Sequence, residues 1–259
     1  MGKQEIREER ILEVLKRKHK ITTGEAMDLL DISESTARRL FASLETQKKV
    51  IRRYGGIQLA GRSPVDYSFD QLMESSQEEK SAIASYAVSL IQESDILFFD
   101  SGTTVYYLSQ ALAEKLKTGQ LKEITIFTNS LANMQLLHAL CRVILIGGEY
   151  RQKRMDFAGY ASNKFIGHFH FTKAFLGADG ICMDEGFMTT DTDTASMSEL
   201  AISRSDLAYV LSDSRKLGKK SFLSYSPISG VDALITGNTA ECEYLDQLRQ
   251  SGLSIHTVS

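Results

Sequence analysis

The stretch from Asp100 to Thr104 (DSGTT) combines a carboxylate, three hydroxyl side chains and a glycine, directly after the apolar run ILFF. Apolar residues at helical spacing follow it, so the stretch is expected to join a strand to a helix N-terminus. Backbone N–H groups and hydroxyls at such a position bind phosphate oxygens well. The sequence therefore predicts a phosphate-binding loop, which would suit either an enzyme or a sensor.

Short apolar runs alternate with helical stretches through residues 81–259, and polar residues follow several of the runs. This order predicts a mostly parallel sheet covered by helices on both faces, with a ligand site beyond the carboxyl ends of its strands. The chain lacks the GxGxxG fingerprint and the Walker lysine at this loop, which argues against NAD and ATP, and no cofactor is expected. The residues expected to bind an effector at this rim are Asp100, Ser101, Gly102, Thr103, Thr104, Asn129, Ser130, Gly148, Asp179, Asp213 and Lys216.

Each of these residue types has a chemical reason to face a phosphorylated sugar. Hydroxyls and N–H groups would hold the phosphate, Lys216 would add positive charge, and an aspartate would accept hydrogen bonds from sugar hydroxyls. The charge run that contains Arg151, Lys153 and Arg154 is expected to be solvated, and the alternative is that it reaches the effector phosphate. The histidines and the three widely spaced cysteines do not form a metal set, so no metal is expected.

The charges of the chain are unevenly divided. Residues 1–62 hold 14 Lys and Arg against 9 Asp and Glu, a net of +5, whereas the remaining residues hold 16 against 24, a net of −8. A basic N-terminal segment on an acidic body suggests that the segment meets a polyanion. A charged dimerisation head is the alternative.

The first 62 residues follow the helix-turn-helix pattern. Apolar spacing predicts a first helix over residues 6–17, Thr22 and Glu25 have capping-box spacing for a second helix ending near Leu30, and Ser33 can cap a third over residues 34–47. Gly55 and Gly56 then indicate a hairpin, or wing. Small, hydroxyl and arginine side chains on the outer face of the third helix suit a major groove, and basic residues of the wing suit the phosphate backbone. The residues expected to contact DNA are Thr22, Ser33, Ser35, Thr36, Arg38, Arg39, Ser43, Lys49, Arg52, Arg53 and Tyr54.

The run SESTARRLFASLETQKKVIRRYGGI resembles the N-terminal signature of the DeoR family of bacterial transcription regulators. In that family a Ser-x-x-Thr-x-Arg-Arg recognition helix leads to a Leu-Glu pair and an Arg-x-x-Gly-Gly wing. Leu40 departs from the pattern, which usually has Asp there, and helical phasing predicts that it points inward. The matching positions are Ser33, Thr36, Arg38, Arg39, Leu44, Glu45, Arg52 or Arg53, Gly55 and Gly56.

The segments DSGTT, TNS, GG, GADGI and SDSRKLGKKSF follow in the order of the C-terminal domain of the same family. That domain is similar to pentose-phosphate isomerases and usually senses a phosphorylated sugar. An isomerase needs a carboxylate base, and the related isomerases have a glutamate where this chain has Gly180. Family members commonly carry a lysine where Ser198 stands. We therefore expect a sensor with no catalytic residues.

These features predict an α/β protein in which a winged helix-turn-helix (residues 1–62) is joined by a linker (63–80) to a mostly parallel α/β effector domain resembling sugar-phosphate isomerases (81–259). The linker could instead be a rigid helix between dimer partners. The expected function is that of a cytoplasmic repressor of a carbohydrate catabolic operon, which binds double-stranded operator DNA as a homodimer or homotetramer, is controlled by a phosphorylated sugar and has no membrane partner. The alternative is an isomerase-like enzyme with a basic targeting or oligomerisation head.

Overall fold

The computed structural model describes residues 3–18, 20–47, 49–53, 55–59 and 67–259. The chain divides into two compact units, Met1–Pro64 and Val65–Ser259. Residues 67–80, which the sequence places in a linker, contain a short helix and the first turn of a longer one. Among the described residues, no helix is long and apolar enough to cross a membrane.

The first unit is a helix-turn-helix followed by a wing. Leu40 is buried together with Ala37, Phe41 and Leu44, so its predicted inward orientation is confirmed. This face of the third helix packs on Ile11 and other apolar residues in a single small core. The elements are α1 (Lys3–Lys18), β1 (Lys20–Thr22), α2 (Thr23–Leu30), α3 (Glu34–Thr46), β2 (Val50–Arg53) and β3 (Gly56–Leu59).

The wing is a three-stranded antiparallel sheet of order β1-β3-β2. Gly55 has a φ of 79°, a backbone conformation that glycine adopts without strain, and it lies in the turn between β2 and β3. Gly56 approaches the backbone of Ile21 in β1 so closely that a methyl group would collide with it. The glycine pair therefore forms the predicted hairpin and also admits the additional strand β1.

The second unit places helices on both faces of a sheet. Its helices are α4 (Phe69–Met73), α5 (Gln77–Ala87), α6 (Thr103–Lys117), α7 (Leu131–Leu137), α8 (Tyr160–Ile166), α9 (Thr192–Ser203) and α10 (Cys242–Gln250). Its strands are β4 (Ile96–Phe99), β5 (Thr125–Thr128), β6 (Arg142–Leu145), β7 (Glu149–Arg151), β8 (Asp156–Ala158), β9 (Phe171–Gly177), β10 (Gly180–Cys182), β11 (Gly186–Thr189), β12 (Ser205–Leu211), β13 (Leu223–Ser226), β14 (Ala233–Gly237) and β15 (Ser254–Val258).

Within residues 67–259, seven strands form a parallel sheet of order β15-β14-β12-β9-β4-β5-β6. The predicted mostly parallel α/β architecture is confirmed. Neighbouring residues of a strand point to opposite faces, so Phe98 enters the core on one side of the sheet and Phe99 the core on the other. Both faces are covered, which explains why the strands have continuous apolar runs instead of alternating ones.

The direction of winding reverses beside β4. From β4 the chain moves outward through β5 to β6, and it then returns to the opposite side of β4 and continues through β9, β12, β14 and β15. Such a reversal separates the two loops that follow the neighbouring strands and leaves a crevice at their carboxyl ends. The crevice between β4 and β9 is therefore where this sheet is expected to bind a ligand.

Candidate functional site

The crevice at the ends of β4 and β9 contains a cavity of about 40 Å³, which we call the inner cavity. The polar clusters after β4, β9 and β12 meet there, because these three strands are neighbours in the sheet. The inner cavity is lined by eight of the residues expected from the sequence: Asp100, Ser101, Gly102, Thr103, Thr104, Asp179, Asp213 and Lys216.

The N-terminus of α6 forms one wall of the inner cavity. The leading N–H groups of an α-helix have no intrahelical acceptor. In this 15-residue helix the N-cap residue is Gly102, and no side chain caps the first turn. Thr103 and Thr104 are buried beside these groups. The partial positive charge of the helix N-terminus adds to their attraction for an anion.

Asp100 ties the two strand ends together. Its Oδ2 accepts a hydrogen bond from the N–H of Gly177 at 3.1 Å. The carboxyl group is almost fully buried, and this burial raises its pKa to about 6, against lowering contributions from the Gly177 and Ser101 N–H groups. Asp100 thus fixes the geometry of the crevice, and it is also one of the residues that line the inner cavity.

Asp179 is largely committed to its own loop. Its Oδ2 accepts hydrogen bonds from the Thr189 hydroxyl at 3.1 Å and from the N–H and hydroxyl of Thr190 at 3.1 and 3.0 Å. Its Oδ1 lies 4.0 Å from Nζ of Lys216. A carboxylate with one oxygen saturated in this way supports a loop and orients a lysine, and it is poorly placed to abstract a proton.

Lys80 is a cavity residue that sequence reasoning missed. It lies on α5, only 2% of the residue is exposed, and its Nζ donates to the carbonyl oxygen of Leu72. Burial lowers the pKa of the ammonium to about 8, although Asp213 opposes the shift. The sequence does contain a signal, because Lys80 stands at helical spacing from the buried Ile83, Ala84 and Ala87 and must therefore share their face.

The β7–β8 hairpin is fastened to the crevice by ion pairs. Arg151 contacts Asp156 at 2.6 Å and Asp191 at 2.7 Å, and Asp156 accepts a hydrogen bond from the Ser101 hydroxyl at 2.9 Å. Arg154 pairs with Asp191 at 3.0 Å and lines the inner cavity. The expectation of a solvated charge run is therefore wrong for both arginines. Asp191, which pairs with both of them, lies far along the chain and cannot be seen from local sequence.

Three residues expected at the rim do not line the inner cavity. The Asn129 amide donates to the carbonyl oxygen of Phe157, and the Ser130 hydroxyl caps α7 by accepting from the N–H of Asn133. A methyl group on Gly148 would lie 2.6 Å from the carbonyl oxygen of Ala158, so this glycine permits close packing. These residues follow β5 and β6, which lie on the side of β4 away from β9.

Other residues of the cavity wall carried no sequence signal as ligands. Tyr67 and Leu72 come from the expected linker, and Thr189 and Thr194 from segments beyond β9. Ser198, the departure from the family pattern on α9, is buried and is not among the residues that line the inner cavity.

The outer face of α3 in the first unit is polar. Ser35, Arg38 and Arg39 are exposed, and Arg38 pairs with Glu34 one turn earlier at 2.6 Å. Ser33 occupies the predicted N-cap position, but its hydroxyl lies within hydrogen-bond distance of the hydroxyls of Ser35 and Thr36 and makes no cap bond. The described part of α3 thus presents two arginines and a cluster of hydroxyls.

The remaining residues expected at DNA have different surroundings. The Thr22 hydroxyl forms the predicted capping box with Glu25, and the Ser43 hydroxyl donates to Glu8 on α1 at 2.7 Å, so both are occupied within the unit. Lys49, just before β2, and Arg52, within β2, are exposed. Arg53 ends β2, and Tyr54 lies outside the described residues.

Comparison with known proteins matches both units to families. Residues 7–62 match the DeoR-like helix-turn-helix domain, and residues 75–238 match the DeoR C-terminal sensor domain. A lactose phosphotransferase system repressor of Staphylococcus epidermidis is 32% identical over 88% of this chain and 90% of its own length. The HTH-type transcriptional repressor GlcR of Bacillus subtilis is 31% identical over 94% of this chain and 93% of its own. Among solved structures, ribose 5-phosphate isomerase from Plasmodium falciparum matches with a TM-score of 0.41 and 19% identity, covering 53% of this chain and 52% of that chain.

Proposed function

We propose that this chain, which belongs to the DeoR family of transcription regulators, is a repressor of a carbohydrate catabolic operon that responds to a phosphorylated sugar. Two relatives that match most of its length are named repressors, one of them of a lactose phosphotransferase system. The family consists of regulators and not of enzymes. We propose a cytoplasmic location, because operator DNA in bacteria lies in the cytoplasm.

The observation that carries the proposal is the inner cavity itself. It combines the uncapped N-terminus of α6 with three cationic side chains, Lys80, Arg154 and Lys216. Helix N–H groups and cations together form a site for a phosphate group. Asp100 and Asp213, at the ends of β4 and β12, offer carboxylates to sugar hydroxyls.

The isomerase alternative is disfavoured by the surroundings of Asp179. A proton transfer between adjacent carbons needs a carboxylate free to accept it, and Oδ2 of Asp179 already accepts three hydrogen bonds. Gly180 follows it where the related isomerases have a glutamate. Incubation with a panel of pentose and hexose phosphates tests this directly, since measurable interconversion would establish an enzyme.

DNA binding is assigned to the outer face of α3 and to the wing. Arg38 and Arg39 would contact base edges or phosphates in the major groove, and Lys49 and Arg52 the backbone. A single unit of this size covers one half-site, so a homodimer or homotetramer on repeated half-sites is expected.

Two substitutions separate the two activities. Arg39→Ala should abolish operator binding in a gel shift with the DNA upstream of the gene, and should leave the thermal shift given by sugar phosphates unchanged. Thr103→Val should remove the thermal shift and retain operator binding. Arg249→Ala on α10, which removes an arginine paired on the surface with Asp246, is the matched control and should change neither. If both substitutions impair the same single activity, the assignment of roles is wrong.

A further inference from the structure

A second cavity lies against the inner one. It measures about 420 Å³ and is called here the outer cavity; Ser68, Gln71, Arg215, Lys219 and Lys220 are among its lining residues. Tyr67 and Leu72 line both cavities, as do Asp179 and Lys216. Tyr67 and Leu72 therefore form part of a partition between the two spaces.

The inner cavity is too small for the ligand that its chemistry suits. A space of about 40 Å³ holds roughly three waters, at 10–15 Å³ for each. Pockets for small molecules usually measure about 300–1,000 Å³. The outer cavity has the required size, but the uncapped N-terminus of α6 lines only the inner one. A sugar phosphate can reach the N-terminus of α6 and also use the space of the outer cavity only if the partition moves.

The partition is fastened by the cations of the inner cavity. The guanidinium carbon of Arg154 lies 4.0 Å from the ring centroid of Tyr67, and Nζ of Lys80 donates to the carbonyl oxygen of Leu72. Both cations line the inner cavity. An anion that enters there attracts the same two groups and so competes with the contacts that hold Tyr67 and Leu72 in place.

The chain around Tyr67 and Leu72 is anchored to the body of the second unit. Phe69 is buried, and its ring meets that of Tyr106 edge-on at 5.8 Å between centroids. The Tyr107 hydroxyl donates to the carbonyl oxygen of Met73 at 3.4 Å. Tyr67 precedes these anchors and stands within a few residues of Pro64, where the first unit ends.

We propose that Tyr67 and Leu72 form a gate, that an anionic effector opens it by recruiting Arg154 and Lys80, and that this displacement is the signal passed along the chain to the DNA-binding unit. The inner and outer cavities then form one site, with the phosphate at α6 and the sugar in the outer cavity. Opening releases Tyr67 and weakens operator binding. The coupling rests on the proposed function, whereas the gate itself can be tested without an effector.

The ligand-free test uses a thiol behind the gate. In full-length Thr103→Cys protein, N-ethylmaleimide should modify Cys at this position slowly, while the exposed native Cys242 serves as the internal reference in peptide mass spectrometry. Adding Tyr67→Ala or Leu72→Ala should raise the rate about tenfold, since the open state changes from a minor to a major population. Tyr67→Phe keeps the ring over Arg154 and should label as slowly as the parent. Glu74→Gln, an exposed change next to α4, is the matched control. Equal rates in the alanine variants and the parent, at unchanged melting temperature, would overturn the gate.

The coupling test measures operator affinity by fluorescence anisotropy. Without any sugar phosphate, Tyr67→Ala should bind the operator about tenfold more weakly than the wild type, a shift within the usual range of allosteric coupling. Tyr67→Phe and Glu74→Gln should bind as the wild type does. Unchanged affinity in Tyr67→Ala would show that the gate does not signal. If no sugar phosphate shifts the melting of the wild type, the proposed effector is wrong, and the labelling rates still decide the gate.

Discussion

Replacing Asp156 with alanine should destabilise the second unit and disrupt the crevice together. Asp156 lies at the start of β8, and none of its surface is exposed. It accepts hydrogen bonds from Nε and Nη2 of Arg151 at 2.8 and 2.6 Å and from the Ser101 hydroxyl at 2.9 Å. The substitution leaves Arg151 short of one anion and Ser101 without its acceptor.

The size of the effect follows from the partners that remain. Removing one member of a buried ion pair costs about 3–5 kcal/mol of unfolding free energy. Arg151 keeps Asp191 at 2.7 Å, so we expect the lower end, about 3 kcal/mol. For a unit spanning residues 65–259, each kcal/mol lowers Tm by about 2–4 °C, which gives a decrease of about 6–12 °C.

Differential scanning calorimetry of the full-length variant measures this decrease. Asp156→Asn keeps the shape and the acceptor oxygen, and it should lose less than the alanine variant. Asp206→Ala is the control, because Asp206 forms an exposed pair with His170 and such pairs contribute about 0–1 kcal/mol. A Tm for Asp156→Ala within 2 °C of the wild type (about 1 kcal/mol or less) would refute the reasoning that this carboxylate holds the hairpin to the crevice.

Two further predictions concern buried charges in the inner cavity. The pKa of Asp100 is raised to about 6, so the folded state binds more protons than the unfolded state between about pH 4 and 6. The contribution of Asp100 to the unfolding free energy therefore falls as pH rises through that window. Asp100→Asn should therefore raise the unfolding free energy by about 1–3 kcal/mol at pH 7.5 and have little effect at pH 4, as measured by urea unfolding. The pKa of Lys80 is lowered to about 8, so its ammonium is charged and penalised by burial at neutral pH, and its contribution to stability rises as pH climbs from about 8 to 10.5. Lys80→Met should keep or raise Tm at pH 7, and it should weaken sugar-phosphate binding at least tenfold in calorimetric titration. The affinity of the wild type for the sugar phosphate should fall between pH 7.5 and 9.5, and the affinity of this variant should not.

Local pattern was sufficient to predict the helix-turn-helix, the strands of the large sheet and the fold class. Apolar runs located the seven strands of the large sheet, and the phasing of α3 gave the inward orientation of Leu40. The burial of Lys80 could also have been predicted from helical spacing, because that residue shares the face of Ile83 and Ala87. What these features have in common is that they depend on the pattern of residues within one segment, a continuous apolar run for a strand and a repeat of 3.6 residues for a helix.

Which residues line the inner cavity depends on the order of the strands in the sheet, and a single sequence does not contain that order. Asn129, Gly148 and Asp179 each follow a strand, but the crevice opens between β4 and β9, whereas β5 and β6 lie on the other side of β4. The pairing of Arg151 and Arg154 with Asp191 joins the β7–β8 hairpin to the start of α9, and the position of Tyr67 in the cavity wall depends on how a short helix packs. Contacts between distant segments of this kind are set by tertiary packing.

We propose that this chain couples a sugar-phosphate site to an operator-binding surface. Calorimetric titration of the most stabilising sugar phosphate into free protein, and into protein saturated with operator DNA, tests it most directly. By linkage, the ratio of the two dissociation constants must equal the factor by which the sugar phosphate weakens operator binding. We predict weaker binding to the operator complex by about tenfold, within the usual range of coupling. Equal affinities in the two titrations would show that the two sites are not coupled.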